Sequence, residues 1–196
     1  MAANLEWRRP LGLGLAAALF FGVPAFGQSM LFAERLQLCV SCHGEDGNSR
    51  TPNLPSLAGQ PEFFLLNQLF LMREGVRRIE VMAPSIQGLK DEDIDALAKH
   101  FAKLPAKPSE EQVDRELATR GAQVANARRC GSCHLPNLAG QVQMPRIAKQ
   151  RIDYLIKSMK EYRDNPHPGA DTAMSANVAN ASDADIIALA HYAATR

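Results

Sequence analysis

The sequence carries no surplus of either charge: 22 Lys and Arg stand against 21 Asp and Glu in 196 residues. So balanced a chain lacks the basic field that nucleic-acid binding draws on, and nucleic acid is excluded as its partner. Aromatic residues are scarce, at 6%, with a single tryptophan. No stretch gives a convincing apolar–polar alternation of strand length, which argues against a sheet. No apolar run reaches the ~20 residues of a membrane-spanning helix; the longest, Leu11 to Phe21, is short and broken by glycine. Cysteine is limited to four residues, and the places they occupy leave none for a disulfide.

All four fall in two five-residue motifs, Cys39-Val40-Ser41-Cys42-His43 and Cys130-Gly131-Ser132-Cys133-His134. C-x-x-C-H is the pattern of c-type haem attachment. Each cysteine adds to a haem vinyl group as a thioether, and the adjoining histidine becomes an axial ligand of the iron. The spacing, about one helical turn, sets both sulfurs along one porphyrin edge and turns the imidazole under the metal. A structural zinc site or a redox dithiol also uses C-x-x-C. The histidine that follows at once in both motifs favours two covalently bound haem c groups.

Residues 1–27 read as an export signal. Arg8 and Arg9 form the positive start, Leu11 to Phe21 the apolar stretch, and Ala25-Phe26-Gly27 the small-x-small cleavage site. Export to the periplasm follows from this, with membrane association only if the segment stays uncleaved. Removing Glu6, Arg8 and Arg9 with it leaves 20 basic and 20 acidic groups, a formally neutral chain.

The remainder repeats itself with a period of about ninety residues. Cys39 matches Cys130 at an offset of 91, Pro55 to Gln60 match Pro145 to Gln150 at 90, and Met82 matches Met174 at 92, as Asp93-Ile94 matches Asp185-Ile186. The reading is therefore two tandem modules, 28–105 and 106–196, divided at Leu104-Pro105-Ala106-Lys107-Pro108. Apolar spacing predicts helices over about 31–39 and 61–73 in the first module, and a last one capped by Asp91 with Ile94, Leu97, Ala98 and Phe101 as its inward stripe. In the second it predicts a helix opened by a Ser109/Gln112 capping box and running toward Arg129, another over 149–163, and a last one started by Ser182. The fold class expected is all-α: two domains of a few helices, each packed around a covalent haem. Modules this small hold a marginal core by themselves, so the chain without haem is expected to be unfolded or molten.

C-x-x-C-H supplies one axial ligand, and the sixth must come from elsewhere. Met82 lies 39 residues after His43 and Met174 lies 40 after His134, each twelve before the matched isoleucine of a final helix. The alternative for both is packing. Met72 and Met159 fall on helix faces; His100 and His191 lie at different registers and read as surface residues. His167, in a loop, is the stronger rival to Met174. Pro55 and Pro145 follow the histidines by twelve and eleven residues, and a carbonyl there is placed to accept from the free imidazole N–H.

Taken together, C-x-x-C-H, then P-x-L-A-G-Q, a helix ending in Met-Arg-Glu-Gly, a loop methionine, and Leu89-x-Asp91-x-Asp93-Ile94-x-Ala96-Leu97-Ala98 resemble a class I cytochrome c. The tandem form is similar to the dihaem cytochrome c4 family across nearly all of 30–196. That resemblance implies thioether sites at Cys39, Cys42, Cys130 and Cys133, proximal ligands at His43 and His134, and distal ligands at Met82 and Met174. It implies an exported electron carrier between a quinol-oxidising cytochrome complex and terminal oxidases, with two domains about a pseudo-twofold axis. One departure stands out: Gly44-Glu45-Asp46-Gly47 has Leu135-Pro136-Asn137-Leu138 as its counterpart. Two other functions compete with a free carrier. One is the cytochrome subunit of a dehydrogenase, of the flavocytochrome c sulfide dehydrogenase type. The other is a dihaem peroxidase, which needs an iron with an open site.

Overall fold

The computed structural model describes residues 32–196, so the segment read as an export signal lies outside the described residues. Those residues are helical, with one isolated bridge, Gln141 to Met144, and no strand among them.

The first half contains α1 (Phe32–His43), α2 (Glu62–Arg73), a 3-10 turn (Glu80–Met82), α3 (Ala83–Ile86) and α4 (Asp91–Lys103). Pro61 stands at the N-cap of α2 rather than inside it, where its fixed φ and missing N–H cost nothing. Lys90, not Asp91, caps α4, and the Asp93 carboxylate reaches back to accept from Lys90 N at 2.9 Å. Ile94, Leu97, Ala98 and Phe101 line the inward face of α4 and meet Cys39 and Val40 of α1 and Leu65 of α2 in one apolar cluster. Burial of side chains such as Leu97 and Phe101 is worth roughly 1.5–3 kcal/mol each.

The second half contains α5 (Arg115–Ala127), α6 (Gly131–His134), α7 (Ile152–Asp164), α8 (Thr172–Val178) and α9 (Asp183–Ala194). Helices α5 and α9 pack along each other, and α9 also packs on α7. A second, separate cluster gathers Ile152, Leu155, Ile186, Leu189 and Ala193. Ser182 starts α9 as expected: its hydroxyl accepts from Asp185 N at 3.1 Å while Asp185 accepts from Ser182 N.

The capping box at Ser109 does not open a helix. Asp114 caps α5, accepting from Glu116 N and Leu117 N. The Ser109 hydroxyl instead donates to Glu111, whose carboxylate accepts from Ile152 N at 2.7 Å and Asp153 N at 3.0 Å. A side chain from the segment before α5 thus caps α7 from about forty residues away, and α7 starts at Ile152, after Lys149 at φ +55°, rather than near Lys149.

The halves meet along a buried polar seam. Gln60 and Arg146 on one side, and Ser56 and Gln150 on the other, are all below a tenth exposed and all hydrogen-bonded. The linker is held to the first half, where Lys107 N donates to Asn48 Oδ1 at 2.8 Å and the Lys107 ammonium pairs with Asp46.

Candidate functional site

His43 ends α1 and His134 ends α6, so each motif closes a helix and presents its imidazole inward. Both are buried. His43 Nδ1 is 2.8 Å from Pro55 O, and His134 Nδ1 is 2.8 Å from Pro145 O. Each Nδ1 therefore donates to a carbonyl, which fixes the tautomer that leaves Nε2 unprotonated and free to bind a metal. Burial pushes both imidazoles below their ordinary pKa, against the opposing pull of those carbonyls. His43 Nε2 is buried and without a hydrogen-bond partner. A buried nitrogen lone pair left so costs free energy unless it is ligated.

Each imidazole faces a cavity. One is lined by Cys39, His43, Met82, Leu97 and Phe101; the other by Cys130, Cys133, His134, Met174 and Leu189. Their free volumes, about 470 Å³ and about 270 Å³, stand in and just below the range of cofactor-sized sites. Cys42 is exposed and is the one motif cysteine outside the cavity linings. All four thiols are free. Burial pushes the Cys39 thiol up to about 11, with the neighbouring Cys42 adding to the effect, and it raises Cys130 as well.

Met82 closes the 3-10 turn and Met174 lies in α8, anchored by the Asp171 carboxylate accepting from Met174 N at 2.9 Å. Both thioethers belong to the same cavities as the histidines of their own half. So does Met72 in the first, and Met144 and Met159 in the second. His167 is absent from the lining of the second cavity; it borders the first, beside Tyr162. Neither His100 nor His191 lines either of these two cavities. Both are half-buried rather than on the surface: His100 packs edge-on against Phe101, and His191 Nδ1 accepts from Asp114 N.

The missing glycines leave the backbone unchanged. Gly44 (φ +86°) and Gly47 (φ +69°) match Leu135 (φ +67°) and Leu138 (φ +58°). Gly47 O accepts from Leu57 N and Ala58 N, and Leu138 O accepts from Ile147 N and Ala148 N. Tertiary bonds hold leucine in the left-handed region where glycine sits without cost.

Each cavity borrows wall from the other half. Phe64 and Gln68 of α2 reach the second cavity, while Tyr154 and Tyr162 of α7 reach the first. Arg146, whose guanidinium donates to the Ala58 and Ala148 carbonyls, also borders the first, and burial pulls its pKa down to about 10. Sequence reasoning missed this seam. Its only signal was the recurrence of glutamine at 60 and 150.

The family model for cytochrome c matches residues 118–195. A cytochrome c4 from Pseudomonas aeruginosa is 33% identical over 93% of this chain and 92% of its own. The chain belongs to the cytochrome c4 family. The crystal structure of reduced recombinant cytochrome c4 from Pseudomonas stutzeri superposes with a TM-score of 0.76 at 29% identity, covering 83% of this chain and 95% of that one. A "thiosulfate dehydrogenase electron acceptor" from Thiomonas intermedia is 28% identical over all of this chain and 94% of its own. As a cytochrome c4, the chain is a dihaem electron carrier with covalently bound haem c, and its partners are redox proteins. No helix among the described residues is long and apolar enough to cross a membrane.

Proposed function

We propose that Cys39 and Cys42 bind one haem and Cys130 and Cys133 the other, with His43 and Met82 ligating the first iron and His134 and Met174 the second. The modules run 28–105 and 106–196. The observation that carries this assignment is the pair of imidazoles: each is held through Nδ1 by a proline carbonyl and shares an apolar cavity with a methionine and with motif cysteine, Cys39 in the first and both Cys130 and Cys133 in the second. Bound there, the haem iron would supply a one-electron couple, and a methionine thioether ligand raises its potential relative to imidazole or thiolate. The chain's own part is to hold the imidazole, exclude water with Leu97, Phe101 and Leu189, and keep the sixth position filled. A filled site suits electron transfer and leaves no room for peroxide. Mass analysis tests the attachment: the expected product is the polypeptide plus two haems with no titratable thiol, and a mass equal to the amino acids alone overturns it.

The carrier works in the periplasm, with residues 1–27 as a cleaved signal. It docks transiently with a quinol-oxidising cytochrome complex and a terminal oxidase. A second reading, a dehydrogenase as electron donor or fixed partner, is favoured by the thiosulfate dehydrogenase electron acceptor among its relatives. Co-purification with a dehydrogenase subunit through size exclusion would decide for the second.

A further inference from the structure

The carbonyl that holds each imidazole is one end of a peptide group whose other end is held by the opposite half of the molecule. His43 donates to Pro55 O, and the N–H of that same peptide, on Ser56, donates to Gln150 Oε1 at 2.8 Å. Gln150 Nε2 then donates to Ser56 O at 2.9 Å. In the other half His134 donates to Pro145 O, and Arg146 N donates to Gln60 Oε1 at 2.9 Å. Gln60 Nε2 donates to Arg146 O at 2.9 Å. Gln150 is 2% exposed and Gln60 4%, so water does not compete for these bonds. Gln150 Oε1 also accepts from Arg151 N, and Gln60 Nε2 lies 3.5 Å from Ser56 O.

We propose that Gln150 sets the hydrogen bond of His43, and Gln60 that of His134, making them crossed positioning residues that tune each iron from the other module. Hydrogen bonds in a chain polarise one another, by about 10–30% per bond. Donation from Ser56 N to Gln150 draws density onto Pro55 O, which then grips the His43 N–H more strongly. A more strongly held N–H makes the other ring nitrogen a better donor and stabilises the oxidised metal. The two-point grip also fixes the plane of the peptide, and hence the direction in which its carbonyl points. Glutamines serving only to join the halves have many seam peptides available to them. Each of these two accepts from the peptide N–H whose own carbonyl holds a motif histidine.

The inference rests on His43 and His134 being iron ligands. Its test is a redox titration of the haem-loaded full chain with Gln150→Met and with Gln60→Met, which keep side-chain bulk and lose both bonds. Each centre is assigned to its module by proton NMR contacts from haem methyls to Leu97 or Leu189, and the Nδ1–H resonance of each histidine is followed in the reduced, nitrogen-labelled protein. In Gln150→Met the module-one midpoint rises and the His43 N–H resonance moves upfield, while the module-two centre keeps both values. Gln60→Met gives the mirror image. Gln150→Glu, which retains an acceptor for Ser56 N, brings the module-one midpoint back to the parental value or below. Shifts confined to the module that carries the replaced glutamine, equal shifts in both centres, or unmoved N–H resonances overturn the proposal. Failure of the underlying ligand assignment shows itself separately, as a low-spin spectrum that survives His43→Ala intact.

Discussion

At the scale of single residues, what matters is which atoms a side chain can reach. Met82 and Met174 sit in equivalent cavities, so Met82→Ala and Met174→Ala should each abolish about half of the sulfur-to-iron charge-transfer absorption and lower one of the two midpoints. Loss of neither half in either variant returns the ligand to Met72, Met144 or Met159. Leu135 offers a prediction of opposite sign. Its backbone, at φ 67° and ψ 157°, lies in a region that is essentially glycine's. Leu135→Gly should therefore stabilise the protein by about 1 kcal/mol, the relieved strain exceeding the added chain entropy, read as a higher melting temperature. The motif residues were legible because covalent attachment demands a fixed local spacing. The prolines were legible because they recur at nearly the same interval. Gln60 and Gln150 were visible as repeat anchors but not as seam residues, since each finds its partner 86 or 94 residues away.

At the scale of elements, Gly121 decides how α5 and α9 cross. A Cβ there would lie 2.0 Å from Ala188 O and 2.7 Å from Tyr192 Cβ, so the helices must separate to admit one. Gly121→Ala should destabilise by about 1–3 kcal/mol, whereas Gly75→Ala, which meets nothing within 4 Å, should cost only about 1 kcal/mol for its left-handed backbone. Paired thermal melts distinguish packing from conformational cost. The longer helices were legible from their apolar stripes. Helix α8 was not: Thr172–Val178 is seven residues with one buried side chain, and it depends on the Asp171 cap. Ser109 misled for the converse reason. Its pattern was sound, but its hydroxyl orients Glu111 toward α7 instead of closing on its own backbone.

At the scale of the whole molecule, two small cores flank two cavities, and the seam between them buries the polar side chains of Ser56, Gln60, Arg146 and Gln150. Protein produced without haem attachment should show no cooperative unfolding transition by circular dichroism; a native-like melt would contradict this. The linker adds a pH dependence. The Lys107 ammonium, with help from Asn48 N and Arg50 against a burial penalty, holds the Asp46 carboxyl well below the usual carboxylate range. A group lowered in the folded state stabilises fully above its unfolded pKa of about 3.9 and loses that contribution as pH falls further. Asp46→Asn should lower stability at neutral and alkaline pH and leave the acid end nearly unchanged, so that the acid limb of a stability–pH curve flattens.

The fastening between the halves reads the same from either direction: glutamine 60 clasps peptide 146 as glutamine 150 clasps peptide 56. One module alone thus owns both hook and eye, and two identical copies satisfy the geometry of an isologous pair. A single module bearing this patch would pair with a copy of itself through the same contacts, and joining two such copies end to end turns a concentration-dependent association into a permanent one.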